Sequence, residues 1–502
     1  MPLDITEAPF LTRTAPGLGE GAGTWTTCGA PPRRTTCFKT RDRCGEGQAW
    51  LGGGVRAELG ALAITDYVPP GQMPQALAVG SRAGLALALV GPAPVGGPPL
   101  DRRSLWVGAS LHGGRPPGGT QSYHPAAVVP NPRKVLLVVG TRPNFMKVAP
   151  IVAALSKRPS AFDAIVVHTG QHYDDAMSSV FFDELGVGEP DYMLDVGSGS
   201  HAQQTARVME RLEPLLLEVG PDVVLVPGDV NSTLAAALVA TKLGLPVGHV
   251  EAGLRSFDRT MPEEVNRVVA DAVSDLLFTH SPEALGHLLA EGRPEQAIHY
   301  VGNTMIDTLM AMRERIEALD SPRVHGLERG RYLVVTLHRP ALVDGALLAE
   351  ALERLESIAA ELTVVFPVHP RTRTAIEGLG VRIGSQRLQL LEPLGYLEFL
   401  GLVAGAGGVL TDSGGVQEET TFLGIPCFTL RANTERPVTV ELGTNRLLGL
   451  SPQRIADVPA LLAEARTRPH RVPPMWDGGA AERIVDVLET VALRDQAATA
   501  VL

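Results

Sequence analysis

The sequence predicts an α/β protein made of two doubly wound, Rossmann-like units of parallel sheet behind a low-complexity N-terminal extension. Three observations carry this. From residue 134 onward, short continuous apolar runs alternate with amphipathic helical patterns, as expected of parallel strands covered on both faces. The alternation pauses near residue 303 and then resumes, which divides the chain into units over 131–303 and 304–478, with a C-terminal helix and tail over 479–502. Before residue 131 the composition differs: 22 glycines and 16 prolines in 130 residues, against 32 and 24 in the remaining 372.

Taken in order, the extension is broken by Pro31-Pro32, Pro69-Pro70 and Pro116-Pro117-Gly118-Gly119, and no periodic apolar pattern survives long between such breaks. It is expected to be disordered, or else to be translated sequence upstream of a true start near 128–134. No functional residue is placed in it. The first unit should have strands at 135–139, 164–167, 223–226, 247–250 and 275–279, with helices over 146–157, 171–185, 203–219, 232–243 and 263–272. The second should have strands at 332–336, 363–366, 388–391, 408–410 and 427–430. The helix near 480–492 could pack on either unit. Ligands of such sheets sit beyond the carboxyl ends of the strands, so residues just after each strand are the candidates for function.

Net charge is −11 and the isoelectric point is near 5.7, which argues against a nucleic-acid or anionic-membrane binder. No apolar run reaches the length of a membrane span, and the N-terminus lacks a signal pattern, so a cytoplasmic protein is expected. Cys28, Cys37, Cys44 and Cys427 have no zinc-like spacing and are expected to be reduced thiols. No metal site or cofactor is expected.

The most telling strand end is Leu410-Thr411-Asp412-Ser413-Gly414-Gly415, which leads into a helix carrying Glu418 and Glu419. A glycine-rich turn at a helix start presents backbone N–H groups to an anion, and a carboxylate one turn later could hold a ribose diol. Alternatively, Ser413 is an ordinary N-cap. After the first strand, Gly140-Thr141-Arg142-Pro143 and Lys147 place cations near a helix N-terminus, which is unfavourable without an anion to meet them. After later strands come Asp229, Glu251 and Glu263, three carboxylates along one sheet edge. Helix-cap and first-turn roles remain open for Asp229 and Glu263, but Glu251 has no such explanation. Clustering should raise the pKa of these acids and suit them to acid/base work. In the second unit His338 and Arg339 follow a strand, and Phe399 and Arg436 are further candidates. The dinucleotide, P-loop and serine-hydrolase fingerprints are absent.

In order along the chain, Gly140-Thr141-Arg142-Pro143, Gly170-Gln171-His172, Gly228-Asp229, His249-Val250-Glu251-Ala252-Gly253-Leu254-Arg255, Pro262-Glu263-Glu264, Gly302-Asn303-Thr304, His338-Arg339, 411–419 and Thr434-Glu435-Arg436-Pro437 resemble the UDP-N-acetylglucosamine 2-epimerase family. The resemblance implies two Rossmann-like domains facing a cleft, as in GT-B glycosyltransferases. It also implies epimerisation of UDP-GlcNAc to UDP-ManNAc through elimination of UDP to a glycal and its re-addition. By the same resemblance, Arg142, Lys147, His338, Ser413, Gly414, Gly415 and Arg436 would hold the diphosphate, Glu419 the ribose, and Phe399 would lie by the uracil. Asp229, Glu251 and Glu263 would be the catalytic acids, with His338 able to donate a proton. Gln171 and His172 match a pair that in some members touches an activating substrate molecule. The family also implies a homodimer and no cofactor. The sequence departs from many members at Asn144, at Ala341-Leu342 and at Tyr173-Asp174-Asp175. Two alternatives stay open: a hydrolysing epimerase releasing ManNAc and UDP, and a GT-B glycosyltransferase.

Overall fold

The computed structural model describes residues 131–170, 186, 188–380, 384–465, 467 and 469–491. The Gly/Pro-rich extension, the expected helix over 171–185 and the pair Gln171-His172 lie outside the described residues, and Arg142 is described by its backbone alone.

Seven parallel strands form the first sheet: β1 (Arg133–Val139), β2 (Phe162–His168), β3 (Tyr192–Met193), β4 (Val223–Pro227), β5 (Val247–Val250), β6 (Leu276–Thr279) and β7 (Ile298–Tyr300). Their spatial order is β3-β2-β1-β4-β5-β6-β7. The chain starts mid-sheet, winds outward to β3, returns beside β1 and winds the other way, so a switch point falls between β1 and β4. The second sheet repeats the pattern with β8 (Tyr332–Thr336), β9 (Thr363–Pro367), β10 (Leu388–Leu391), β11 (Gly408–Thr411), β12 (Cys427–Thr429) and β13 (Asn445–Leu447), in the order β10-β9-β8-β11-β12-β13. Its switch point lies between β8 and β11. The sequence analysis missed β3, β7 and β13, which are edge strands of two or three residues and too short to show a period.

Strand alternation builds a core on each face. Val135, Leu137 and Val139 of β1 meet the helix Arg142–Ser156, while Leu136 and Val138 meet the helices His201–Val219 and Asn231–Lys242. In β8, Leu333 and Val335 face one layer and Tyr332 and Val334 the other. Each such side chain is fully buried, worth about 1.5–3 kcal/mol of apolar transfer.

The last helix, Ala480–Thr490, packs on the first unit, where Ala481, Ile484, Val485 and Leu488 complete the core beside β1. Asp307 accepts the Ala481 N–H at 2.8 Å, and Arg133 donates to the Leu488 carbonyl at 2.6 Å. The chain leaves the first unit through Gly302 (φ +93°), where a Cβ would strike the Met475 carbonyl. Both ends of the second sheet are thereby tied to the first. Among the described residues no helix is long and apolar enough to cross a membrane.

Candidate active site

The carboxyl ends of both sheets carry the polar side chains, and the two edges touch. Asn433 donates to the Ser256 carbonyl at 3.4 Å, the Val438 N–H reaches Glu283 at 3.2 Å, and Trp476 Nε1 donates to the His280 carbonyl at 2.8 Å.

Glu251 stands at the centre of the contact. It follows β5 with φ +73°, a left-handed conformation that an acidic residue adopts only where its surroundings impose it. Its N–H and that of Ala252 both donate to the Phe278 carbonyl at 3.0 Å, which fixes the turn. Lys147 forms an ion pair with Glu251 Oε2, and Arg436 Nη2 donates to Oε1 at 2.7 Å. Gly228 (φ +67°) makes this possible, since a Cβ there would lie 2.7 Å from Lys147 Nζ.

Arg436 is almost fully buried among three carboxylates. Besides Glu251, its Nε lies 3.0 Å from Glu418 Oε1 and its Nη1 lies 2.5 Å from Glu435 Oε1. Glu418 in turn meets His280 Nε2 at 2.9 Å, and Glu435 accepts from Arg431 at 2.6 Å. Clustering of the carboxylates is expected to raise their pKa, and Glu251 corrects that expectation. Burial does push its carboxyl up, but Lys147 and then Arg436 outweigh it and hold the group below the ordinary carboxylate range. Glu418 is likewise held low against burial, chiefly by Arg436 and His280. Burial works against the Arg436 charge, yet Glu418, Glu251 and Glu435 hold its pKa well above the usual value.

Asp229 is not a helix cap, because Val230 occupies that position and no side chain caps the helix. Its carboxylate pairs with Arg267, which also holds Glu264. Glu264 accepts the N–H groups of Ser256 (2.9 Å) and Phe257 (2.8 Å), so this buried acid shapes the loop after β5. Glu263 is half-buried and close enough to Arg339 to act on its charge. Lys147 thus stands with Glu251, and Asp229 and Glu263 lie on the same rim.

On the second rim Ser413 does occupy the N-cap of the helix Gly414–Leu423, but its side chain makes no capping bond. The glycines have a packing reason beyond N–H display. A Cβ on Gly414 would run into Arg436 and lie 2.8 Å from Glu435, and one on Gly415 would lie 2.9 Å from Met305. Glu419 is buried and accepts from the Tyr396 hydroxyl at 3.1 Å. Burial raises its carboxyl to about 8, with the Tyr396 bond opposing and Glu418 adding to the rise. Phe399 is half-buried on the face of the second sheet with Leu391 and Leu394. Asp412 is held low, against burial, by His338. It accepts the backbone N–H groups of His338 and Arg339, both at 2.8 Å, and lies 2.9 Å from His338 Nδ1. That pairing sets Nδ1 of His338 against the Asp412 carboxylate on the second rim.

Sequence reasoning gave no role to Arg267, His280, Arg431 or Glu435. His280 directly follows β6, as Glu251 follows β5, so the strand-end rule could have found it. Ligand atoms of Glu251, His280 and Glu418 lie within 4.8 Å of one another, a spacing compatible with a cation. Arg436 and Lys147 already supply positive charge to those oxygens.

Two doubly wound sheets whose carboxyl edges meet, with carboxylates on one rim and a glycine turn and arginine on the other, define a GT-B-like nucleotide-sugar enzyme. The profile of the UDP-N-acetylglucosamine 2-epimerase family matches residues 153–489. The chain is 40% identical over 365 residues to a UDP-N-acetylglucosamine 2-epimerase of Methanococcus maripaludis, covering 71% of this chain and 98% of that one. It is 42% identical over 328 residues to a UDP-2,3-diacetamido-2,3-dideoxy-D-glucuronate 2-epimerase of Pseudomonas aeruginosa, covering 64% and 90%. The crystal structure of the Methanocaldococcus jannaschii UDP-GlcNAc 2-epimerase, in complex with UDP-GlcNAc and UDP, matches with a TM-score of 0.65 at 40% identity over 71% of this chain and 99% of that one. The chain belongs to the UDP-N-acetylglucosamine 2-epimerase family.

Proposed function

We propose that this protein is a non-hydrolysing epimerase that inverts C2 of UDP-GlcNAc to give UDP-ManNAc. The observation that carries the reading is the contact of Glu251, an acid of the first rim, with Lys147 and Arg436, cations suited to a diphosphate. The C2 proton of the sugar is not acidic enough for simple removal. Elimination of UDP as a carboxylate takes that proton gives a glycal, and re-addition of UDP with protonation on the other face inverts the centre. Such a path needs acid/base groups on both faces and firm stabilisation of the departing anion.

In this reading Asp229, Glu251 and Glu263 are the acid/base groups. Arg142, Lys147, His338, Ser413, Gly414, Gly415 and Arg436 hold the diphosphate, Glu419 takes the ribose diol and Phe399 lies by the uracil. The enzyme works as a homodimer, which light scattering of the purified protein tests directly.

Proton NMR of UDP-GlcNAc with the enzyme in deuterated water is the decisive assay. UDP-ManNAc and deuterium at C2 are expected. Accumulating free ManNAc and UDP would point instead to the hydrolysing reaction, and a glycosyltransferase would leave C2 undeuterated. A second reading of the sugar is favoured by the 42% identity to the Pseudomonas aeruginosa relative. Running the same assay with UDP-2,3-diacetamido-2,3-dideoxy-D-glucuronate decides between the two substrates by relative rate.

A further inference from the structure

The three carboxylates around Arg436 are not equivalent. Glu418 has a second support in His280 at 2.9 Å, and Glu435 has one in Arg431 at 2.6 Å. Among the described residues, the side-chain partners of Glu251 are Lys147 and Arg436. Those are the two cations the proposed function gives to the substrate diphosphate. Glu251 engages both Lys147 and Arg436, so a diphosphate that takes these two cations must displace that carboxylate.

We propose that the diphosphate of the nucleotide sugar and Glu251 compete for Lys147 and Arg436. Binding of the nucleotide then frees the Glu251 carboxylate for proton exchange with the sugar, while Glu418 and Glu435 act as positioning residues that keep Arg436 in place. The inference rests on the assignment of Lys147 and Arg436 to the diphosphate.

The groups that act on Glu251 are Lys147 from the helix after β1, Arg436 and Glu418 from the second unit, and His280 from the end of β6. Once the two cations turn to phosphate, what remains is burial and the Glu418 charge, which both favour the protonated acid, and His280, which opposes. With UDP alone in the site, Glu251 takes its proton from solvent. With the nucleotide sugar in place, the freed group can instead carry the proton exchanged with C2. The empty site therefore keeps this acid locked and ionised.

Calorimetric titration of UDP into the intact protein tests this at pH 8, where the terminal phosphate of free UDP is already ionised. Measurement in two buffers of different ionisation enthalpy reports proton transfer. Uptake approaching about one proton per UDP is expected for the wild type. Glu251→Gln should abolish that uptake and bind UDP roughly tenfold tighter, because the competitor is gone. Glu418→Gln removes a carboxylate from the same guanidinium and should act in the opposite sense, weakening UDP while retaining the proton uptake. Thermal melts establish that both variants fold, and the count is repeated in Glu419→Gln because that carboxyl itself titrates near pH 8. Proton uptake that persists in Glu251→Gln, or UDP binding that is no tighter in it, overturns the inference. The underlying assignment fails separately, and the inference with it, if Lys147→Met binds UDP as well as the wild type does.

Discussion

The two sheets share one winding and differ in what stands along their carboxyl edges. The first edge sets out acids on sharp turns, with Asp229 after β4 and Glu251 after β5 in a left-handed conformation. The second sets out a glycine turn at a helix start, an oriented histidine and a buried arginine. Neither edge is electrically complete. Glu251 takes Arg436 from the other unit, and Glu418 takes His280 in exchange. The same scaffold thus presents carboxylates on one edge and a glycine turn and an arginine on the other, and the two edges meet through exchanged charges.

The strongest way to break this comparison is to remove an acid from the first edge alone. Asp229→Asn should lower kcat by roughly 10²–10⁴-fold while UDP affinity stays near the wild-type value. Parallel loss of turnover and UDP affinity, measured by NMR assay and calorimetry, would show that the division of labour is false. Next in size is Ile484→Ala, which opens the core that the C-terminal helix closes beside β1. It should cost about 2–5 kcal/mol in denaturant unfolding, with UDP affinity near the wild-type value under native conditions because the substitution removes none of the proposed binding groups.

Gly414→Ala strikes the second edge. A Cβ there meets Arg436, so UDP affinity should fall about tenfold or more, with far less effect on stability than Ile484→Ala. The last prediction concerns Glu419. Its carboxyl is raised from 4.5 to about 8 by burial, so in that window the folded protein keeps a proton that the unfolded chain has lost. Native stability should therefore fall as pH rises from 4.5 to about 8, and flatten above. Glu419→Gln should remove this part of the slope and raise the Tm by a few degrees at pH 8 but not at pH 5. An unchanged slope in Tm against pH would place the ionised form in the folded state.

Much of this was legible in the chain. Long apolar strands such as β1 and β4 show themselves by composition, and the ends of those strands pointed to Lys147, Asp229 and Glu251. The short edge strands did not show, because two or three residues carry no period. The expected rise in the acids' pKa fails for Glu251, because Lys147 of the same edge and Arg436 of the other outweigh burial and the Glu418 charge. Glu418 was noted only beside Glu419 as a diol acceptor, yet it faces Arg436 and His280, while Glu419 turns to Tyr396.

The sequence alone determined the α/β alternation, the two windings and the positions at which polar residues leave the strands. Those depend on local periodicity and turn chemistry, which neighbouring residues are enough to express. Only the tertiary structure decided which charges neutralise which. Glu251 meets Lys147 from 104 positions away and Arg436 from 185. Electrostatic interaction depends on distance in space and on the exclusion of water, and the folded chain sets both.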